Sequence, residues 1–161
     1  TSLVTTLWSD LPDGPRWIEA QVATESGGVP NAVSPVGAKG LLQLMDGTAA
    51  EMGVVNPYDP QANLSGGIGY LKKQYDRFPE IPSHDERLRW SFAAYNGGRQ
   101  YCNVALSLAR TDGESRGWMW TPGRYWLFHR DCSVNGKHPF HRQMWDYISR
   151  IEAYYHHGGG S

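Results

Sequence analysis

The amino-acid sequence predicts a mainly α-helical domain, and three observations lead there. Proline or a small polar residue stands at one helix start after another, as in "DGPRW", "DPQAN" and "SHDER". Apolar residues recur at spacings of three and four, while the strict alternation of a half-buried strand is scarce. At 161 residues, with 40% hydrophobic and 19% charged side chains, the chain is long and apolar enough to bury one core.

The elements follow in order. The first clear helix lies in "DGPRWIEAQVATES", with Asp13 or Gly14 as cap and Pro15 in the first turn, where its missing N–H breaks no helical bond. Ile18, Val22 and Glu25 fall on one face of it, and Gly27 and Gly28 stop it. After a turn rich in Gly, Pro and Asn, the chain is expected to return to a short helix within "GAKGLLQLM". Thr48 to Glu51 has capping-box spacing for another. Asp59 caps, and Pro60 opens, a helix expected to reach about Phe78. Ser83 and Glu86 form a second capping-box pair, and their helix ends against Gly97 and Gly98.

Residues 99–111 read as helical, with Tyr101, Val104 and Leu108 on one side. A long irregular insertion is expected from Thr111 to Lys137, before the last helix. That helix should run from about Pro139 to Tyr155 with Phe140, Met144, Ile148, Ile151 and Tyr155 as its apolar stripe. No internal repeat interrupts the pattern. The expected organisation is a single domain over residues 1–157, with 158–161 as a flexible Gly-rich tail.

Composition narrows the function. A formal net charge of −1 lacks the basic excess of a polyanion binder, so nucleic acid is not expected as a partner. No apolar run approaches the roughly 20 residues that cross a bilayer. The opening "TSLVTTLWSDLPDG" has neither the basic nor the apolar region of a signal peptide. Two cysteines, Cys102 and Cys132, allow either one bridge or two buried thiols. His138, His141 and Cys132, or His156 and His157, lack the spacing of a metal site, so no metal and no cofactor are expected. No nucleophile elbow supports Ser-His-Asp catalysis. The aromatic cluster Trp118, Trp120, Tyr125, Trp126 and Phe128 suits stacking on sugar faces and packing beneath a long loop equally well.

Glu25 is the residue whose position raises a chemical question. On its own a helix-terminal glutamate reads as a surface residue. Placed on the face of Ile18 and Val22, however, it should point toward the protein. An apolar setting favours the neutral carboxyl that a general acid needs.

The motifs around it sharpen this. Glu25-Ser26, the run from Ser34 to Gln43 in "SPVGAKGLLQLM", Asn63 to Leu71 in "NLSGGIGYL", Ala94 to Gly98 in "AYNGG", and Tyr147-Ile148 occur in one order. This order resembles the lytic transglycosylase domain of the soluble lytic transglycosylase (SLT) type, a lysozyme-like helical fold related to goose-type lysozymes. The resemblance covers residues from about 17 to 98 and, more thinly, the last helix. It departs at Leu42, where the family usually has Met, at Asp46, where Pro usually follows "LM", and at "QMW" before Tyr147.

By this resemblance Glu25 corresponds to the catalytic acid, with Ser26 beside it. Ser34, Gln43 and Met45 correspond to the adjoining groove, and Tyr95, Asn96 and Tyr147 to groups around the acid and the sugar. Gln43 and Asn96 each offer a donor and an acceptor to acetamido and hydroxyl groups. The resemblance implies cleavage of the N-acetylmuramic acid–β1,4–N-acetylglucosamine bond of peptidoglycan with closure of a 1,6-anhydro ring. It implies glycan strands as the partner, action in the bacterial periplasm or cell wall, and a monomer; a phage lysis or virion-associated protein and a bacterial periplasmic enzyme stripped of its signal fit it equally. Two other readings stay open. A hydrolytic muramidase on the same fold would need a second carboxylate, for which Asp46 is the nearby candidate. A non-catalytic wall-binding module would need none of these groups.

Overall fold

The computed structural model describes residues 2–116 and 132–158. They form seven helices: α1 (Leu3–Leu7), α2 (Gly14–Ser26), α3 (Asp46–Glu51), α4 (Pro60–Asp76), α5 (His84–Gly97), α6 (Arg99–Arg116) and α7 (His141–His157). Among the described residues the only β pairing is isolated bridges, Val33 with Lys39, Lys39 with Leu44 and Val134 with Lys137. The mainly α class predicted from the sequence is the observed one. The chain divides into two compact units, Thr1–Lys72 with Ser149–Ser161, and Lys73–Ile148.

In the first unit α2 is fixed at both ends. Asp13 adopts a left-handed conformation (φ 53°) and makes no side-chain cap bond to the helix. Its carboxylate instead accepts a 2.7 Å hydrogen bond from the Tyr155 hydroxyl. The Tyr155 ring lies flat on Trp17, with centroids 3.7 Å apart and planes at 4°. The Arg16 guanidinium lies over the Tyr155 ring, 5.0 Å from its centroid. Trp17, Ile18, Ala20 and Gln21 are buried. At the far end Gly27 takes φ 64° and returns its N–H to Ala23, as a glycine cap does. Helix α4 starts as expected, with an Asp59 carboxylate oxygen accepting from the Ala62 N–H at 2.8 Å. Gly67 lies directly beneath the fully buried Leu42, where a Cβ would collide.

Two expectations for this unit are corrected. The "GAKGLLQLM" stretch is not helical: Gly40 (φ 81°) and Gln43 (φ 49°) occupy the left-handed region, which a right-handed helix excludes. It forms a tight turn closed by paired bonds between Lys39 and Leu44, 2.9 Å in each direction. Nor does Thr48 cap a helix. That pairing ends at Leu44, so α3 begins at Asp46 with Met45 in the cap position, and Thr48 lies inside it.

In the second unit the Ser83 hydroxyl caps α5 by accepting from the Glu86 N–H at 3.4 Å. Leu88, Trp90, Ser91, Phe92, Ala93 and Ala94 form its buried face. The Gln74 and Tyr75 carbonyls at the end of α4, which accept 3.1 Å bonds from the Arg77 and Phe78 N–H groups, also receive two guanidinium groups. Arg87 donates to the Tyr75 carbonyl at 2.8 Å, and Arg99 to the Gln74 carbonyl and side chain at 3.2 Å each. Arg99 also stacks over Phe78, 4.1 Å from its ring centroid.

Helix α6 continues to Arg116, so the helix takes the first residues of the expected insertion. Its buried side is Cys102, Ala105 and Leu106, not the Tyr101–Val104–Leu108 side, and Leu108 is exposed. The cluster Trp118, Trp120, Tyr125, Trp126 and Phe128 lies outside the described residues. Cys102 and Cys132 are both buried thiols, and the Cys132 sulfur donates to the Tyr101 carbonyl at 3.7 Å. In α7 the buried stripe in this unit is Met144, Tyr147 and Ile148. Phe140 is 79% exposed because it precedes the helix, its carbonyl accepting the first α7 bond from Met144. Beyond it Ile151 is fully buried, and Tyr155 is the ring on Trp17.

One carboxyl in this unit is shifted by its surroundings. Burial pushes Glu86 up to about 7, against the opposing effects of Arg89 and a hydrogen bond from Trp90. A carboxyl raised on folding stabilises the fold fully below its unfolded value, and that contribution is lost as pH rises through about 7. The melting temperature of Glu86→Gln should therefore fall less than that of the unaltered chain between pH 5 and pH 8. Thermal unfolding followed by circular dichroism at both pH values checks this, and parallel curves would contradict it.

Candidate active site

The residues singled out in the sequence fall into two groups, one in each unit. In the first, Glu25 occupies the last turn of α2, half-buried, one position before the helix end. It continues the buried side that Ile18 and Gln21 begin. Ile18 and Val22 also line an apolar hollow of about 470 Å³ with Ala23, Leu41, Leu64 and Ile68. Ser26 ties off the helix end, its hydroxyl donating to the Val22 carbonyl at 3.3 Å and accepting from the Gly28 N–H at 3.2 Å.

From there a ladder of bonds leads into the next turn. Val29 N–H donates to the Ser26 carbonyl, Ala32 N–H to the Val29 carbonyl, and Gly40 N–H to the Ala32 carbonyl. Ser34 closes a small loop of its own: its hydroxyl oxygen accepts from the Ala38 N–H at 3.0 Å. Gln43 sits at the crest of the 39–44 turn. Its side-chain nitrogen donates to the Gly40 carbonyl at 2.9 Å and to the Ala32 carbonyl at 3.3 Å. Both amide protons are thus engaged, and only the carbonyl oxygen is left to meet a ligand. The sequence reading had given Gln43 both a donor and an acceptor, and the turn takes the donors. Met45 follows, 45% exposed at the start of α3.

The residue that holds this turn was not singled out for that role. Asn63, in α4, is fully buried. Its carbonyl oxygen accepts from the Leu42 N–H at 2.7 Å, and its nitrogen donates to the Lys39 carbonyl at 2.9 Å and the Pro57 carbonyl at 2.8 Å. Gly40 packs so closely on it that a Cβ there would strike both the Asn63 amide and the Pro57 carbonyl. A signal for this was present: Asn63 stands at i−4 and i−8 from Gly67 and Leu71, so a poor helix former lies on a buried helical face.

Asp46, the candidate second carboxylate, is engaged elsewhere. It accepts a 2.8 Å ion pair from Lys39, its own side chain 81% exposed. The hydrogen bond and charge of Asp46 in turn raise the Lys39 ammonium above its ordinary range.

The second group lies in the other unit. Tyr95 and Asn96, both half-buried, occupy the last turn of α5. Tyr147 is buried in α7. Gly97, next to Asn96, lies under the Met144 side chain, where a Cβ would collide with its sulfur. Met144 is one helical turn from Tyr147 in α7. Among the described residues no group of three or more His, Cys, Asp or Glu side chains is placed to hold a metal ion, and no helix is long and apolar enough to cross a membrane.

A helical, lysozyme-like fold with a glutamate closing its second helix and an amide-bearing turn after it defines the class. Residues 14–116 match the transglycosylase SLT domain family. The chain belongs to that family. It is 40% identical over 89 residues to the transglycosylase of Enterobacteria phage PRD1, covering 55% of this chain and 31% of that protein. It is 37% identical over 98 residues to membrane-bound lytic murein transglycosylase F of Shewanella halifaxensis, covering 61% of this chain and 21% of the relative. The matched region thus spans a third or less of the length of these relatives. Among solved structures, the 70 kDa soluble lytic transglycosylase of Escherichia coli superposes with a TM-score of 0.64 at 24% identity, over 99% of this chain and 24% of that one. This last likeness is one of fold.

The close packing at Gly40 makes a direct prediction. Gly40→Ala adds a side chain at φ 81° where no room exists, and should cost roughly 2–4 kcal/mol, several degrees of melting temperature. Gly47→Ala, a helical position with open space around it, should leave the melting temperature unchanged or slightly raised. Equal melting temperatures for the two variants would contradict the packing at the turn.

Proposed function

We propose that this chain is a peptidoglycan lytic transglycosylase domain that breaks the glycosidic bond between N-acetylmuramic acid and N-acetylglucosamine, with Glu25 as both acid and base. The observation that carries it is Glu25 itself: a half-buried carboxyl at the end of α2, joined through Ser26 to the turn that presents Gln43, within a chain of the SLT family.

The chemistry needs only that one carboxyl. Glu25, protonated, gives its proton to the bridging oxygen, and the bond from that oxygen to the muramyl C1 breaks. The substrate's own acetamido oxygen closes on C1 and carries the positive charge as an oxazolinium. Glu25, now a carboxylate, takes the proton of the muramyl 6-hydroxyl while that oxygen attacks C1 and the oxazolinium reopens. The 1,6-anhydro ring forms, the second sugar leaves with a free hydroxyl, and no water is consumed. Around this step Ser34, Gln43 and Met45 line the groove on the Glu25 side. Tyr95, Asn96 and Tyr147 offer hydroxyl and amide groups suited to binding the sugar. The partner is the glycan strand of the bacterial wall, which places the activity in the periplasm or wall, and the domain acts as a monomer.

A hydrolase on the same fold would hold a water with a second carboxylate. Asp46 is poorly suited to that, being exposed and paired with Lys39.

Glu25→Gln keeps the shape of the side chain and removes the proton, and should lower the release of soluble muropeptides by about two to four orders of magnitude. Release near the unaltered rate would remove Glu25 from the mechanism. Asp46→Asn should stay within about threefold of the unaltered chain, whereas a base that activates water would cost several orders of magnitude. Mass spectrometry of the products decides the chemistry: anhydromuramyl ends are expected, and reducing muramyl ends would establish hydrolysis instead.

A further inference from the structure

The buried Asn63 carboxamide does more than fill the core. It reaches three separate backbone positions, and two of them, the Leu42 N–H and the Lys39 carbonyl, belong to the turn that carries Gln43. The third, the Pro57 carbonyl, belongs to the segment leading into α4. The turn has no regular secondary structure to fix its height above α4. Its own bonds, between Lys39 and Leu44 and from Gln43 to Gly40, set its shape but not its position. Asn63 is the group that ties that shape to the rigid helix. Gly40, with no Cβ, lets the turn close onto the amide. The Gln43 side chain then spans from this turn to the Ala32 carbonyl, and the ladder from Ala32 through Val29 reaches Ser26 beside Glu25.

We propose that Asn63 is a positioning residue for the reaction, acting through Gln43: it fixes the turn on α4 so that the one free polar atom of Gln43, its carbonyl oxygen, stands at a constant place in the groove. This rests on the transglycosylase reading. Asn63 is buried and meets no substrate. A displacement of about 1 Å in a group that orients substrate is enough to cost up to about a hundredfold in rate, so losing the tie weakens catalysis in a chain that is still folded.

The test is a double-mutant cycle on soluble peptidoglycan strands, measured well below the melting temperatures, with folding verified by circular dichroism. Asn63→Asp is the main variant because it is near-isosteric. One of its oxygens still accepts from Leu42, but the other faces the Lys39 and Pro57 carbonyls. Ionised, it is repelled by them; protonated, it can donate to one. Asn63→Asp and Gln43→Ala should each lower kcat/KM by about tenfold to a hundredfold, with the same division between kcat and KM. The double variant should fall no more than about threefold below the worse single variant, since residues acting as one unit do not add. The deficit of Asn63→Asp should also shrink as pH is lowered from 7 to 5, whereas that of Gln43→Ala should not. Independent losses that multiply in the double variant would overturn the proposal, as would unaltered kcat/KM in folded Asn63→Asp. Failure of the underlying reading is seen separately, as absence of anhydro products from the unaltered chain, and takes the proposal with it.

Discussion

Three hydrogen bonds from one buried side chain organise the turn on which the candidate site depends. An amide enclosed by protein has no water to turn to, so each of its polar atoms must be satisfied internally. Asn63 meets that demand with groups of the 39–44 turn and the Pro57 carbonyl. Its burial and the shape of the turn are therefore one condition. Leu42, locked between the turn and Gly67, adds an apolar anchor on the same helix. An irregular segment is in this way made as well defined as a helix, and two residues with positive φ, Gly40 and Gln43, are held where their backbone cost is offset.

The same device, a polar side chain completing backbone that secondary structure leaves open, recurs in the second unit. There Arg87 and Arg99 close the carbonyl end of α4. Two cations at that end complement the helix dipole and share its last carbonyls with the N–H groups of the turn that follows. Asparagine suits the turn because it must both donate and accept, and arginine suits the helix end because only acceptors are left there.

The helices were legible because their signals are local. Asp59 with Pro60, Ser83 as the cap of α5 and Gly27 after Ser26 each work through bonds within a few residues, and each acts as read. The place of Glu25 in the last turn of α2 follows from spacing in the same way. The "GAKGLLQLM" stretch was misread because its composition suits a helix, whereas its backbone is dictated by Asn63, more than twenty residues away. The buried side of α6 was missed because Cys102, Ala105 and Leu106 are less conspicuous than Tyr101, Val104 and Leu108, and packing selects the former. Phe140 was assigned to the stripe by continuing a period past the point where the helix begins. The engagement of the Gln43 donors needed the folded turn, because their acceptors are backbone carbonyls of that turn and of Ala32.

Tyr155 stacks on Trp17, and its hydroxyl bond to Asp13 joins residues 142 positions apart. A contact of that span gives nothing back until nearly the whole chain has been ordered, so it contributes to a high contact order and a slow final step of folding. During synthesis α2 emerges long before the ring that covers its first turn. The helix that carries Glu25 therefore leaves the ribosome with Trp17 unstacked, and α2 acquires its finished setting only when the end of α7 arrives.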